Sequence, residues 1–317
     1  MRMLIIGDPF TALFPESDTS LAVAGYARAR GLDVAWAHAD DVMLLGHDTA
    51  AHAQPIRALK YKMLPEVEAP QWTAIDAFDV IVIRKNPPFD ASYVRLCWLL
   101  MPYEARVVMS NRPALLLTHH EKMIPYQMLH VGALTADEIA PTCLVTTVAQ
   151  LDVYLEKFSA HHAAWIMKPW MGYGGHDVKK FANVQLLRAA LTQESTPTLI
   201  QPYLPAIATA GDRRLFFIGG KLVGHLVRIP RGDTHISNLA SGGKGELRPL
   251  TPALEDRCER IGSYLQDYDI DFAGVDCIGD TITEVNITSP TGLVAYVGLG
   301  GPDLVPVLFD QLEKRLG

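Results

Sequence analysis

The chain has 317 residues, 49% of them hydrophobic and 20% charged, enough apolar material for two or three domains and too much for a single small module. A net charge of -7 with no run of Lys or Arg excludes an extended nucleic-acid footprint, so any phosphate must be held by a few local groups. The four cysteines, Cys97, Cys143, Cys258 and Cys277, form no CxxC pair, which points away from zinc and disulfide frameworks.

The opening run Met1–Pro9 is too short for a signal peptide and no apolar segment reaches membrane-spanning length, so a soluble cytoplasmic protein is expected. Leu4–Ile6, Val34–Ala37, Val80–Ile83 and Val107–Met109 read as strands, and Leu21–Arg30 as a helix closed by Gly31. That alternation predicts a parallel α/β sheet with crossover helices. No GxGxxG follows the first strand, which weakens a nicotinamide dehydrogenase reading. Asp18, Thr19 or Ser20 either caps the Leu21 helix or places polar groups at the carboxyl end of strand one, where open α/β sheets bind ligands.

Between residues 121 and 200 the pattern becomes α+β: a helix over Leu151–Phe158, strands Ala164–Lys168 and Asp177–Phe181, a helix Val184–Leu191 and a strand opening at Thr198. From Gly211 onward, strands Leu215–Ile218, Lys221–Val227, Phe272–Ile278 and Ile282–Ile287 predict a mostly antiparallel sheet, with helices at Leu254–Gln266 and Leu304–Arg315. The expected division is an N-terminal α/β domain over 1–120, a small lid-like domain over 121–200 and a central domain over 201–317. Residues 229–246, long, polar and glycine-rich, read as a flap over a reactive intermediate.

Lys168 ends an apolar strand just before the glycine-rich turn Met171-Gly172-Tyr173-Gly174-Gly175. Glycines let backbone N–H groups approach anionic oxygens while the ammonium supplies a point charge, although such a turn can equally be a plain hairpin. Lys122 lies at the junction of the first two domains; Arg214 opens one strand and Arg228 closes the next, where guanidinium forks can meet phosphate or carboxylate. The histidines lack HExxH or other ligand spacing.

Asp276, Glu284 and Asn286 lie on two short strands joined by a tight turn. A three-residue turn, Gly279-Asp280-Thr281, makes Asp276 and Glu284 cross-strand partners and gathers all three oxygen-bearing side chains on one face, with Val275, Val285, Ala273 and Ile287 on the dry one. A two-residue turn would mix acids and valines on both faces. Hard oxygen ligands at that spacing suit Mg²⁺ shared with substrate phosphates; the alternative is a solvated hairpin face.

In this order, Lys122, Lys168 with its glycine loop, Arg214, Arg228 with its flap, and Asp276, Glu284 and Asn286 resemble an ATP-grasp enzyme. The similarity is to the bacterial glutathione synthetase family and runs over nearly the whole chain. It is carried by Arg84-Lys-Asn-Pro-Pro-Phe-Asp90, Gln201-Pro-Tyr-Leu-Pro-Ala-Ile207, Gly211-Asp-Arg-Arg214, Arg228-Ile-Pro230, Asn238-Leu-Ala-Ser-Gly-Gly-Lys-Gly-Glu246 and Glu284-Val-Asn-Ile-Thr-Ser-Pro-Thr291.

The resemblance implies ATP on Lys122, Lys168, the glycines Gly172, Gly174 and Gly175, and the strand with Gln201, Tyr203 and Leu204. It also implies Mg²⁺ or Mn²⁺ on Asp276, Glu284 and Asn286, γ-phosphate contacts from Arg214 and Arg228, small-molecule substrates and a homo-oligomer. The implied activity is ATP-dependent joining of γ-glutamylcysteine and glycine through an acyl phosphate. Alternatives are a related peptide ligase with another donor or acceptor, and a non-catalytic nucleotide binder. Departures touch the substrate side: Asn86 replaces an acid, Met171 replaces an acid in the glycine loop, Ile236 stands where the enterobacterial type has Arg, and Leu293-Val294-Ala295 replaces an Arg-Glu pair.

Overall fold

The N-terminal apolar runs become the centre of an eight-stranded sheet in the computed structural model, which describes residues 1–230 and 242–316. Its strands are β1 (Arg2–Gly7), β2 (Asp33–Ala37), β3 (Val42–Leu45), β4 (Asp48–Ala58), β5 (Glu66–Val67), β6 (Gln71–Ala74), β7 (Val80–Arg84) and β8 (Val108–Ser110). β2, β1, β7 and β8 pair in parallel. Met3–Ile6 and Val80–Ile83 are buried throughout, as strands covered on both faces must be. Asp18 caps the helix Thr19–Ala29, its Oδ1 accepting from the Leu21 amide at 2.8 Å, and it also lines the cleft described below. The capping reading of that residue therefore holds, and its position at the cleft keeps the other open. Sequence periodicity did not anticipate β3 to β6, an antiparallel extension built around the long strand β4.

The second sheet has β9 (Cys143–Val145), β10 (Trp165–Pro169), β11 (Lys179–Phe181) and β12 (Thr198–Pro202), all antiparallel in the order β11-β10-β12-β9. Helices Val148–Phe158 and Val184–Leu191 cover one face with Leu151, Leu155 and Leu187, forming with Trp165 and Ile200 a core separate from the rest of the protein. β12 spans position 200, and within the segment from 121 to 142 Ile139 bridges Ile282 and Glu121 accepts from Thr288, two contacts that join it to the third sheet.

The third sheet comprises β13 (Asp212–Ile218), β14 (Lys221–Ile229), β15 (Lys244–Glu246), β16 (Phe272–Ile278) and β17 (Thr281–Asn286), antiparallel in the order β15-β14-β13-β16-β17. Its apolar face and the first sheet share two continuous cores, in which Leu4, Ile81, Val275 and Ile287 belong to one cluster and Val23, Phe216 and Phe309 to the other. Among the described residues no helix is long and apolar enough to cross a membrane.

The β16–β17 hairpin corrects the expected turn. Ile278 pairs with Thr281 across a two-residue turn, Gly279-Asp280, with Gly279 in the left-handed region at φ 60°. A register shift between Asp276 and Cys277 then leaves Thr283 as an extra residue, and Asp276 pairs with Glu284, Val275 with Val285. The bulge restores the face-sharing that the short turn would have destroyed. The outcome for the acids is the expected one; the device is different. The flap falls largely on 231–241, outside the described residues, as does Ile236.

Candidate active site

A cleft of about 600 Å³ separates the second sheet from the third, with the carboxyl end of the first sheet closing one side. Every site residue singled out from the sequence lines it: Lys122, Lys168, Gly172, Gly174, Gly175, Gln201, Tyr203, Leu204, Arg214, Arg228, Asp276, Glu284 and Asn286. Strand periodicity explains the gathering. Asp212 pairs with Arg228, Arg214 with both Leu226 and Asp276, and Asp276 with Glu284, so these side chains share one face. Arg213, one residue off, bonds instead to the Arg248 and Pro249 carbonyls.

Asp276 is the hub of that face. Arg214 donates to it through Nε at 2.7 Å and Nη2 at 2.6 Å, Arg228 Nη2 lies 2.9 Å from its Oδ1, and Asn286 Nδ2 donates to its Oδ2 at 3.1 Å. Arg228 also donates to Asp212 at 2.6 Å. The two arginine side chains and that of Asp276 are about 10% exposed. Burial alone would push the Asp276 carboxyl up, but the two guanidinium groups outweigh it and hold the group down at about 2. Burial likewise favours neutral Arg228, yet Asp212 and Asp276 raise its pKa above the usual arginine range. Gly274 permits the arrangement: a Cβ there would lie 3.1 Å from Arg214 Cδ.

On the opposite wall, Ile166 and Lys168 alternate with the buried Trp165 and Met167 along β10, and Gln201 pairs with Ile166. Burial first, and the Lys122 charge after it, lower the Lys168 pKa. Among the described residues its ammonium makes no hydrogen bond or ion pair, although the carboxylates of Glu284, Asp212 and Asp276 act on it and favour its charged form. Lys122 is 11% exposed; its Nζ donates to the Gly172 carbonyl at 2.5 Å and lies 3.3 Å from Glu284. It is therefore no surface lysine, and it ties the glycine loop to β17. Gly174 and Gly175 adopt φ of 62° and 79°, which a side chain would resist. Lys180 sits 3.4 Å from the Tyr203 ring centroid, bracing that residue from behind.

Sequence reasoning missed three contributors. Asp212 orients Arg228, and its place beside Arg213-Arg214 in an alternating strand was the available signal. Glu121 accepts from the Ile287 and Thr288 amides and the Thr288 hydroxyl at 2.7 to 2.8 Å, fixing the end of β17; burial raises its pKa, helped by Glu284. His120 stacks on Trp170 with ring centroids 3.7 Å apart and planes 9° from parallel, and burial, then Lys122, lower its pKa to about 4, so the imidazole is neutral. No sequence signal marked that pair.

The oxygen-donor set fits a hard divalent cation. Asn286 Nδ2 faces two acceptors, the Gly274 carbonyl and Asp276, which fixes the amide orientation, so Oδ1 is the atom that could hold a cation beside the carboxylates of Asp276 and Glu284. On the substrate side, Asn86, Thr288, Gly292 and Ala295 line the cleft. Val294 does not; it is 7% exposed and faces inward.

Two family models match the chain: prokaryotic glutathione synthetase, N-terminal domain, over residues 1–116, and prokaryotic glutathione synthetase, ATP-grasp domain, over residues 131–297. The chain is 31% identical to a glutathione synthetase of Pseudomonas putida, covering 100% of this chain and 98% of that one. Identity to a glutathione synthetase of Citrobacter rodentium is 30%, over 100% and 99% of the two chains. Among solved structures it is similar in fold to D-cycloserine synthetase DcsG, with a TM-score of 0.68 at 14% identity over 99% and 100% of the chains. The ATP-grasp ligase PsnB, solved with a phosphomimetic precursor variant, Mg and ADP, aligns with a TM-score of 0.61 at 14% identity over 99% and 98% of the chains.

Proposed function

From the premise that this chain belongs to the prokaryotic glutathione synthetase family, we propose a role for each side chain of the cleft. The protein is an ATP-dependent peptide ligase of the ATP-grasp fold, which sets aside the dehydrogenase and non-catalytic readings. Its substrates on this reading are γ-glutamylcysteine and glycine. The donor carboxylate attacks the γ-phosphate of ATP, ADP leaves, and the acceptor amine displaces phosphate from the resulting acyl phosphate.

Lys168, with its ammonium unpaired, and Lys122, beside the glycine loop, take the nucleotide phosphates; Gly172, Gly174 and Gly175 let that loop approach them. Ile166, Gln201, Tyr203 and Leu204 form the slot for the base. Arg214 and Arg228 are the catalytic residues, stabilising negative charge on the group in transfer. Asp276, Glu284 and Asn286 would hold Mg²⁺, or Mn²⁺ in its place, which when bound neutralises charge on the phosphate oxygens. No side-chain nucleophile is needed. The domain limits proposed are 1–120, 121–200 and 201–317, with a flap at 229–246, in a cytosolic homo-oligomer.

The single observation that carries this reading is the convergence of four cations, Lys122, Lys168, Arg214 and Arg228, on a cleft also lined by three hard oxygen ligands. Incubating purified protein with ATP, Mg²⁺ and a panel of γ-glutamyl dipeptides and amino acids, with products read by mass, tests it. Glutathione should dominate. A different dipeptide or acceptor as the main product would favour the related-ligase reading, which Asn86 motivates, since it lines the cleft where the family has an acid.

A further inference from the structure

A carboxylate offers about four lone-pair positions, and in Asp276 each already faces a donor. Oδ1 meets Arg214 Nε at 2.7 Å and Arg228 Nη2 at 2.9 Å; Oδ2 meets Arg214 Nη2 at 2.6 Å and Asn286 Nδ2 at 3.1 Å. A divalent cation arriving alone would have to displace a guanidinium from a carboxylate in a region about 10% exposed, and would then sit beside two arginines. With Lys122 and Lys168 also facing the cleft, adding two positive charges there is costly. Nucleotide phosphates reverse that balance. They give Arg214 and Arg228 alternative acceptors of higher charge, and the forks that leave Asp276 expose its oxygens to metal.

We propose that Arg214 and Arg228 keep Asp276 in reserve, so that this ligand becomes available to the divalent cation only when a polyphosphate draws the guanidinium groups away. The arginines thus act twice, as counter-ions of the metal ligand before nucleotide binds and as phosphate ligands afterwards. Asp212 gives the exchange its reset: bonded to Arg228 at 2.6 Å, it keeps that side chain beside Asp276. Coupling of this kind is reciprocal, so metal must tighten nucleotide by the same factor that nucleotide tightens metal.

The proposal rests on Asp276, Glu284 and Asn286 as the metal ligands, and the test separates the two ideas. Mn²⁺ is titrated into the full-length protein alone and with a non-hydrolysable ATP analogue, and free Mn²⁺ is read by its paramagnetic resonance signal, corrected for Mn²⁺ held by the analogue in solution. The analogue should tighten Mn²⁺ by roughly 5- to 150-fold, the ordinary range for coupled sites. Arg214→Met together with Arg228→Met should bind Mn²⁺ without nucleotide more tightly than the parent, and adding Asp276→Asn should abolish that gain. Equal Mn²⁺ affinity of the parent with and without the analogue overturns the proposal while leaving the metal assignment standing. Failure to bind Mn²⁺ even with the analogue overturns both. If the arginine variants unfold by circular dichroism, the parent titrations can still overturn the proposal, since equal affinity with and without the analogue refutes it.

Discussion

Replacing Asp276 with Asn should damage stability as well as turnover, and the structure sets the size of the effect. The substitution removes the charge of the counter-ion that Arg214 holds with two bonds and that Arg228 holds with one, and turns one of its acceptor oxygens into an NH2 that faces guanidinium donors; the neutral amide oxygen, the Thr291 carbonyl and Asp212 are the acceptors that remain. Breaking a buried pair by removing one partner typically costs about 3–5 kcal/mol, because the remaining charge stays buried. With an m-value of about 3 kcal/mol/M the urea midpoint would fall by roughly 1–2 M. Glu284→Gln is the internal control: its side chain is 25% exposed and its partner Lys122 keeps its bond to the Gly172 carbonyl, so the loss should be clearly smaller than for Asp276. Both variants should lose activity at limiting Mg²⁺, but only Asp276→Asn should unfold early. The pH dependence follows the same logic: a carboxyl depressed from 3.8 to about 2 contributes stability that is complete above the unfolded value and lost as pH falls through that interval. Equal urea midpoints for the two variants would refute the buried-network argument.

Lys168→Met should weaken ATP binding by about 10- to 150-fold, equivalent to one charge-assisted hydrogen bond of roughly 1.5–3 kcal/mol, with little loss of stability because its ammonium makes no hydrogen bond or ion pair; calorimetry checks this. His120, depressed from 6.5 to about 4, makes stability fall as pH drops through that window, since the unfolded chain takes the proton and the folded one does not; His120→Gln should flatten that part of the urea-midpoint profile. Gly274→Ala should displace Arg214, whose Cδ lies 3.1 Å from the added methyl, and lower kcat with a smaller change in the KM for ATP.

Much of the site was legible because it lies on strands. Period-two alternation separates Arg214 from Arg213 and collects Asp276, Glu284 and Asn286, and those inferences need only the apolar partners Val275 and Val285. Turn length was not legible: a bulge at Thr283 and a longer turn give the same pairing at Asp276, and only backbone geometry distinguishes them. Val294 shows the converse limit. It lies in the run where the resemblance leads one to expect an Arg-Glu pair, yet the helix Leu293–Gly298 turns it inward and leaves Ala295 on the cleft. Contacts between distant segments, such as Glu121 with Thr288 or His120 with Trp170, leave no periodic trace and appear only when the sheets are assembled.

The separate core of the second sheet carries a last prediction. Leu151, Trp165, Leu187 and Ile200 pack among themselves, whereas the first and third sheets share continuous cores, so the second sheet is the part of the molecule able to move as a unit. Around its glycine loop, the ties to the body include the His120–Trp170 stack and the Lys122 bond to Gly172. An aromatic stack is worth about 0.5–1.5 kcal/mol beyond its area, so Trp170→Ala should speed amide exchange over residues 170–178 by roughly 2- to 13-fold. Strands β1 and β7, buried in the shared cores, should be unaffected, and saturating ATP should restore protection through Lys168. Mass-resolved hydrogen exchange measures all three. Faster exchange in β1 and β7 as well would mean that the sheets open together, and the independence inferred from their cores would be wrong.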